Sequence, residues 1–193
     1  YRLPDKRIGM PQMHFDWREY RSGRYLRHNL HAAWDNRVIW LSIVGLGVFW
    51  GISQVLLAAF PAFAEDNLGE TNTVVIQGVM AFSGIGIILG AMIAGRISRD
   101  HVETGLIPVG AIGIALVLLL LPGLQNTWAH GLNFFALGLL AGIFIVPLNA
   151  LIQFNAGERE LGRVLAAKNF VLNWVMLGAL IVTVASALND TGS

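Results

Sequence analysis

The sequence predicts an all-α, polytopic helical membrane protein with five spans, and three observations predict it. Of the 193 residues, 55% are apolar and only 13% are charged, about half the charged share of an ordinary soluble domain. Long stretches carry no charge: Val38 to Ala64 is 27 such positions, and a helix needs about 20 to cross a bilayer. The charges that remain gather between the apolar stretches. Apolar segments of this length are helices, because lipid offers backbone polar groups no partners. This composition excludes a soluble enzyme, a disordered tail and a nucleic-acid module, so no nucleic-acid partner is expected.

The spans are expected at about 38–63, 73–95, 106–121, 132–152 and 164–188. Pro122-Gly123 closes the third, and Lys168 is the one charge inside the fifth. The segments between them set the orientation. Residues 64–72 hold three acids and no base, and residues 122–131 hold no Lys or Arg. Residues 96–105 contain Arg96 and Arg99, and residues 153–163 contain Arg159 and Arg163. Residues 1–37 hold eight of the thirteen Lys/Arg and four of the twelve acids, a net +4. That leaves five bases and eight acids, a net −3, for the rest. Basic and non-basic segments alternate, which places the amino end in the cytoplasm and the carboxyl end on the far side.

Residues 1–37 are not a span. Residues 1–13 contain two Pro and one Gly and read as a linker. From Asp16 onward Leu26, Leu30, Ala33 and Trp34 recur at helical spacing among Arg24, Arg27 and Arg37. That pattern predicts an amphipathic helix on the cytoplasmic membrane face, its bases near anionic membrane lipids. The chain opens on Tyr1 without a signal-peptide pattern, so it reads as a piece of a longer protein. Five spans is an odd number, and a sixth is expected after Ser193.

Catalytic signatures are lacking. There is no Gly-x-x-x-x-Gly-Lys-Ser/Thr loop, and the only lysines are Lys6 and Lys168. The five histidines form no His-Glu-x-x-His pair and no His-x4-Asp motif, and no span holds a carboxylate pair. Cys is absent. No enzyme, cofactor or metal is expected.

Polar residues within the spans are few. Gln54 lies midway along the first span, one turn after Trp50. Asn149 and Gln153 are four apart on the fourth, Asn169 and Asn173 four apart on the fifth. Amides at membrane depth glue helices or face a polar cavity. Gln54 and Asn149 are expected to face a central cavity and touch a substrate head, with Trp50 and Asn169 beside them. Lys168 has two readings: it snorkels to the cytoplasmic interface, or it attracts a phosphate at the cavity mouth. No acid in the spans offers it a partner. Pro147 removes one helical hydrogen bond near Asn149. The pairs Gly47/Gly51, Gly86/Gly90 and Gly138/Gly142 predict close helix packing.

Ile145-Val146-Pro147-Leu148-Asn149-Ala150-Leu151-Ile152-Gln153 resembles a Val-Pro-Leu-Asn-Ala-Leu-Leu/Ile-Gln stretch of the bacterial lysophospholipid transporter (LplT) family, part of the major facilitator superfamily. Phe49-Trp50-Gly51 is similar to the Phe-Trp-Gly of that family's seventh helix, and Arg163 to Phe170 resembles the start of its eleventh. Gly84-Ile85-Gly86-Ile87-Ile88 and Val102 to Pro108 are similar to the transporter portion of fusions with an acyltransferase and an acyl-carrier-protein (acyl-ACP) synthetase. The resemblance covers about 38–188. It implies the second half of a major facilitator fold: residues 1–37 as the central cytoplasmic loop, residues 38–193 as the carboxyl-terminal half, and a missing amino-terminal half as partner. Gly95 departs from the superfamily's basic-loop pattern, which has an acid there. The implied activity is carriage of lysophospholipid, lysophosphatidylethanolamine foremost, across the bacterial inner membrane for re-acylation by a fused or separate acyltransferase/acyl-ACP synthetase. A general efflux carrier and a membrane anchor for a fused acyltransferase remain open alternatives.

The topology is directly testable in the full-length protein. Asn67→Cys and Asn126→Cys are expected to react with an impermeant thiol reagent added outside the cell, and Arg99→Cys and Glu160→Cys are not. Outside labelling of Arg99→Cys overturns the orientation.

Overall fold

The computed structural model describes residues 17–99, 101–157 and 160–190. The expected linker over 1–13 and Arg159 of the basic segment lie outside the described residues. Among the described residues, five helices are long and apolar enough to cross a membrane. They are α3 (Arg37–Leu68), α4 (Thr73–Ile97), α5 (Leu106–Leu120), α6 (Thr127–Asn155) and α7 (Leu161–Asp190), preceded by the short α1 (Trp17–Arg21) and by α2 (Arg24–Trp34). A single 3-10 turn, Leu121–Gly123, follows α5. Among the described residues there is no strand.

Each expected span is covered by helix, and most of the helices outrun the spans. α3 continues past Glu65 and Asp66 to Leu68 and stops where Gly69 turns left-handed, at φ 64°. Charge ends a membrane crossing, not a helix; the chain stays helical in water until a residue suited to positive φ ends it. α6 begins at Thr127 rather than near 132, because the Asn126 side chain accepts from the Ala129 amide at 2.7 Å and caps it. Asn36 caps α3 in the same way, accepting from Val38 and Ile39. α6 runs through Pro147 and α3 through Pro61 without interruption.

The expected surface helix is two helices. Gly23, at φ 70°, breaks it between α1 and α2. α2 packs on α7 and buries Ala33 completely, with Leu26 and Leu30 half-buried beside it. Trp34 is the exception to the expected apolar stripe. It remains 62% exposed, with its ring 4.5 Å from that of Trp40.

α6 is the hub. It packs along α4, α5 and α3, while α7 leans on α3 and α2. α3 and α4 are joined by four residues, Gly69 to Asn72, yet they barely touch, because each packs on α6 instead. Phe49 meets Phe144, and Phe60 meets Phe134 edge-on at 4.7 Å, fixing α3 to α6. Asn133 ties α6 to α5 by donating to the Val117 carbonyl at 3.0 Å.

The α4–α6 contact is made by glycine. A Cβ on Gly86 would strike the Phe135 carbonyl, one on Gly90 the Leu139 carbonyl, and one on Gly138 the Ser83 carbonyl. On Gly142 it would come within 2.5 Å of the Ala91 amide nitrogen. Both pairs therefore bring main chain against main chain. Gly47 and Gly51 face Val175 on α7 more loosely, with side-chain contacts at 3.6 and 3.1 Å.

This difference has a measurable consequence. Gly90→Ala and Gly138→Ala are each expected to cost about 1–3 kcal/mol through overpacking, seen as a lower thermal midpoint in detergent. Gly47→Ala is expected to be near neutral. Equal tolerance at all three positions would show that the seam is not tight.

Candidate functional site

Two adjoining chambers open around α3. The first, about 440 Å³, lies between α3, α6 and α7 and is lined by Leu46, Trp50, Asn149, Lys168, Asn169 and Asn173 among others. The second, about 240 Å³, lies between α3, α4 and α6 and is bounded by Phe49, Gln54, Met80, Phe134 and Leu137 among others. Trp50 and Met176 belong to both linings. They form the partition between a polar compartment and an apolar one.

The polar chamber is organised by one ammonium group. Lys168 lies seven residues into α7, about 10 Å along the helix. Its Nζ donates to Asn149 Oδ1 at 3.0 Å. The Asn149 amide is itself oriented, since its Nδ2 donates to the Ile145 carbonyl one turn back, also at 3.0 Å. Lys168 therefore reaches across from α7 to α6. Its partner is a neutral amide rather than an acid, and among the described residues the ammonium's charge is uncompensated. Asn169 and Asn173 stand one turn apart on α7 and make no side-chain hydrogen bond among the described residues. Neither chamber lining contains Asp or Glu. A cation surrounded by neutral amides suits an anion that accepts several hydrogen bonds.

The second chamber differs in kind. Its two serines turn inward on their own helices: Ser53 Oγ donates to the Phe49 carbonyl at 2.9 Å and Ser83 Oγ to the Met80 carbonyl at 2.6 Å. Gln54 is half-buried and has no side-chain hydrogen bond among the described residues. Hydrocarbon side chains and Gly138 make up most of the rest.

The family profile described as Major Facilitator Superfamily matches residues 4–180. The chain belongs to this superfamily. It is 32% identical over 149 residues to the lysophospholipid transporter LplT of Photorhabdus laumondii subsp. laumondii, a match covering 75% of this chain and 36% of that protein. The LplT proteins of Salmonella gallinarum and Escherichia fergusonii are each 30% identical, over 76% of this chain and 36% and 37% of theirs. The chain spans little more than a third of the length of these curated relatives. No solved structure matches it. The resemblance carried by Ile145 to Gln153 is thus borne out by matches along most of the chain. This member of the major facilitator superfamily is a multi-pass membrane protein.

Of the residues expected at a site in this major facilitator chain, Trp50, Asn149, Lys168 and Asn169 come together in one chamber. Gln54 does not join Asn149; it lies beyond the Trp50 partition, in the apolar compartment. Gln153 is exposed and lines neither chamber. Met176 was not foreseen, since nothing in an apolar run marks one Met as a wall. His130, expected in a connection, is completely buried in α6. Its Nδ1 lies 3.0 Å from the Asn126 carbonyl, to which it donates, and its ring lies beside Phe60 and Phe63. The spacing of His130 four residues after the cap Asn126 is the signal that could have placed it.

The Lys168–Asn149 bond predicts coupling between α6 and α7. Asn149→Leu is expected to lower stability by about 1–3 kcal/mol by leaving a desolvated ammonium without its acceptor. Lys168→Met in the same molecule is expected to recover part of that loss. A double-mutant cycle of unfolding in detergent checks this, and strict additivity would show that the two side chains do not interact.

Proposed function

We propose that the full-length protein is a membrane carrier for lysophospholipid, lysophosphatidylethanolamine foremost, moving it across the bacterial inner membrane toward re-acylation. One observation carries the reading: a polar chamber with a single ammonium adjoins an apolar chamber across a shared wall. A single-chain phospholipid has the same division. Lys168 binds the phosphate, Asn169 and Asn173 donate to its oxygens, and the acyl chain passes Trp50 and Met176 into the apolar compartment. Gln54 meets the ester end of the chain.

The five spans correspond to helices seven to eleven of a twelve-helix carrier, and residues 1–37 to its central cytoplasmic loop. The amino-terminal half supplies the facing wall. A module that only anchors a fused acyltransferase has no use for an ammonium held across a chamber, which favours the carrier reading. The names of the relatives agree with the substrate.

Uptake in cells expressing the full-length protein tests this reading. Lys168→Gln keeps a donor for Asn149 but removes the charge. It is expected to reduce uptake of lysophosphatidylethanolamine about tenfold, equivalent to about 1.4 kcal/mol, at unchanged membrane expression. Lys168→Arg is expected to retain uptake. Near-normal uptake by Lys168→Gln overturns the headgroup role of this residue.

A further inference from the structure

A second lipid-facing feature lies where α2 meets α3, and it shares no residue with the two chambers. Arg27, Leu30, His31 and Trp34 recur at intervals of three and four, so they share one face of α2. With Trp40, on the first turn of α3, they line a groove of about 520 Å³. The two indole rings stand 4.5 Å apart, tilted by 49°. The neighbouring side of α2 is anchored by the buried Ala33, and α2 packs on α7. The Arg27–Trp34 face is therefore held outward and does not roll inward.

Depth and charge identify the occupant. The candidate membrane span of α3 begins at Arg37, which puts Trp40 near one end of that span, and span ends are the level that indole rings prefer. Asp35, the one acid of the α2–α3 turn, is already paired with His31 at 2.8 Å. The Arg27 side chain makes no hydrogen bond or ion pair among the described residues. Residues 17–37 carry five arginines against two acids, a field that draws an anionic membrane surface. A guanidinium presents a planar fork that matches phosphate oxygens, and the paired indoles present an apolar wall to a glycerol backbone and the first acyl carbons.

We propose that this groove binds one anionic phospholipid of the adjoining leaflet, its phosphate on Arg27 and its glycerol and upper acyl chain against Trp34 and Trp40. The bound lipid fixes α2 at the membrane surface against α7. The site does not depend on the substrate assigned to the chambers.

Native mass spectrometry of the full-length protein, released from detergent after incubation with phosphatidylglycerol or phosphatidylcholine, tests the site. The unmodified protein is expected to retain phosphatidylglycerol in preference to phosphatidylcholine. Arg27→Gln is expected to weaken phosphatidylglycerol binding about fivefold, the equivalent of about 1 kcal/mol for one base at a membrane surface, and Arg27→Lys to restore most of it. Trp34→Ala is expected to weaken retention of both lipids. Arg27 and Trp34 are surface positions, and an unchanged thermal midpoint without added lipid shows that the variants fold. Unchanged phosphatidylglycerol retention in both Arg27→Gln and Trp34→Ala overturns the proposal. So does displacement of the lipid by an equal concentration of inorganic phosphate, or cross-linking of Trp34→Cys to another segment of the protein instead of to lipid.

Discussion

The structure depends on main-chain contact between α4 and α6. In lipid there is little hydrophobic gain in bringing two apolar helices together, because the tails they displace are as apolar as leucine. Association rests on close van der Waals packing, and Gly86, Gly90, Gly138 and Gly142 permit it by letting main chain meet main chain at those four positions. Once α4 is seated there, α6 has its remaining faces for α5 and α3. α3 then stands apart from α4, and the apolar chamber is the space left between them. Gly138 serves both ends of this logic, as a seam residue and as part of the chamber wall.

The other chamber is set by charge. A lysine within a membrane span is costly unless it finds a partner or water. Lys168 meets that demand through an amide on the neighbouring helix, and Asn149 is held in the receptive orientation by the Ile145 carbonyl of its own helix. The arrangement supplies a hydrogen bond without cancelling the positive charge. A carboxylate in place of Asn149 would give a closed ion pair; the amide leaves the ammonium's field available to an anion in the chamber.

The spans were legible because hydrocarbon imposes its demand residue by residue: Val38 to Ala64 could only cross as a helix. The glycine pairs were legible for a similar reason, as their spacing puts them on one helix face. Helix ends were less so, since Asn126 and Gly69 act in water, where hydropathy says nothing. The site was read in part. Asn149 and Lys168 were each identified, but on separate helices, and an acid was sought where an amide served. The separation of Gln54 from Asn149 depends on how α3 turns against α6, which is decided by packing among Phe49, Phe144, Phe60 and Phe134. His130 shows the same limit: a polar residue close to a predicted boundary carries no mark of burial until its aromatic neighbours on another helix are known.

The unequal tightness of the glycine contacts also divides the molecule mechanically. Where carbonyls and α-carbons interlock, as along Gly86–Gly90 and Gly138–Gly142, sliding by even a fraction of a turn drives atoms into one another. α4 and α6 therefore displace as a single rigid lever. Along Gly47 and Gly51 the contact is with side chains of α7, Val175 foremost, at ordinary to close van der Waals distance rather than with main chain. α7 is thus seated on α3 through side chains, and it carries Lys168 and half of the partition. Any change in chamber shape falls first on the side that holds the charge.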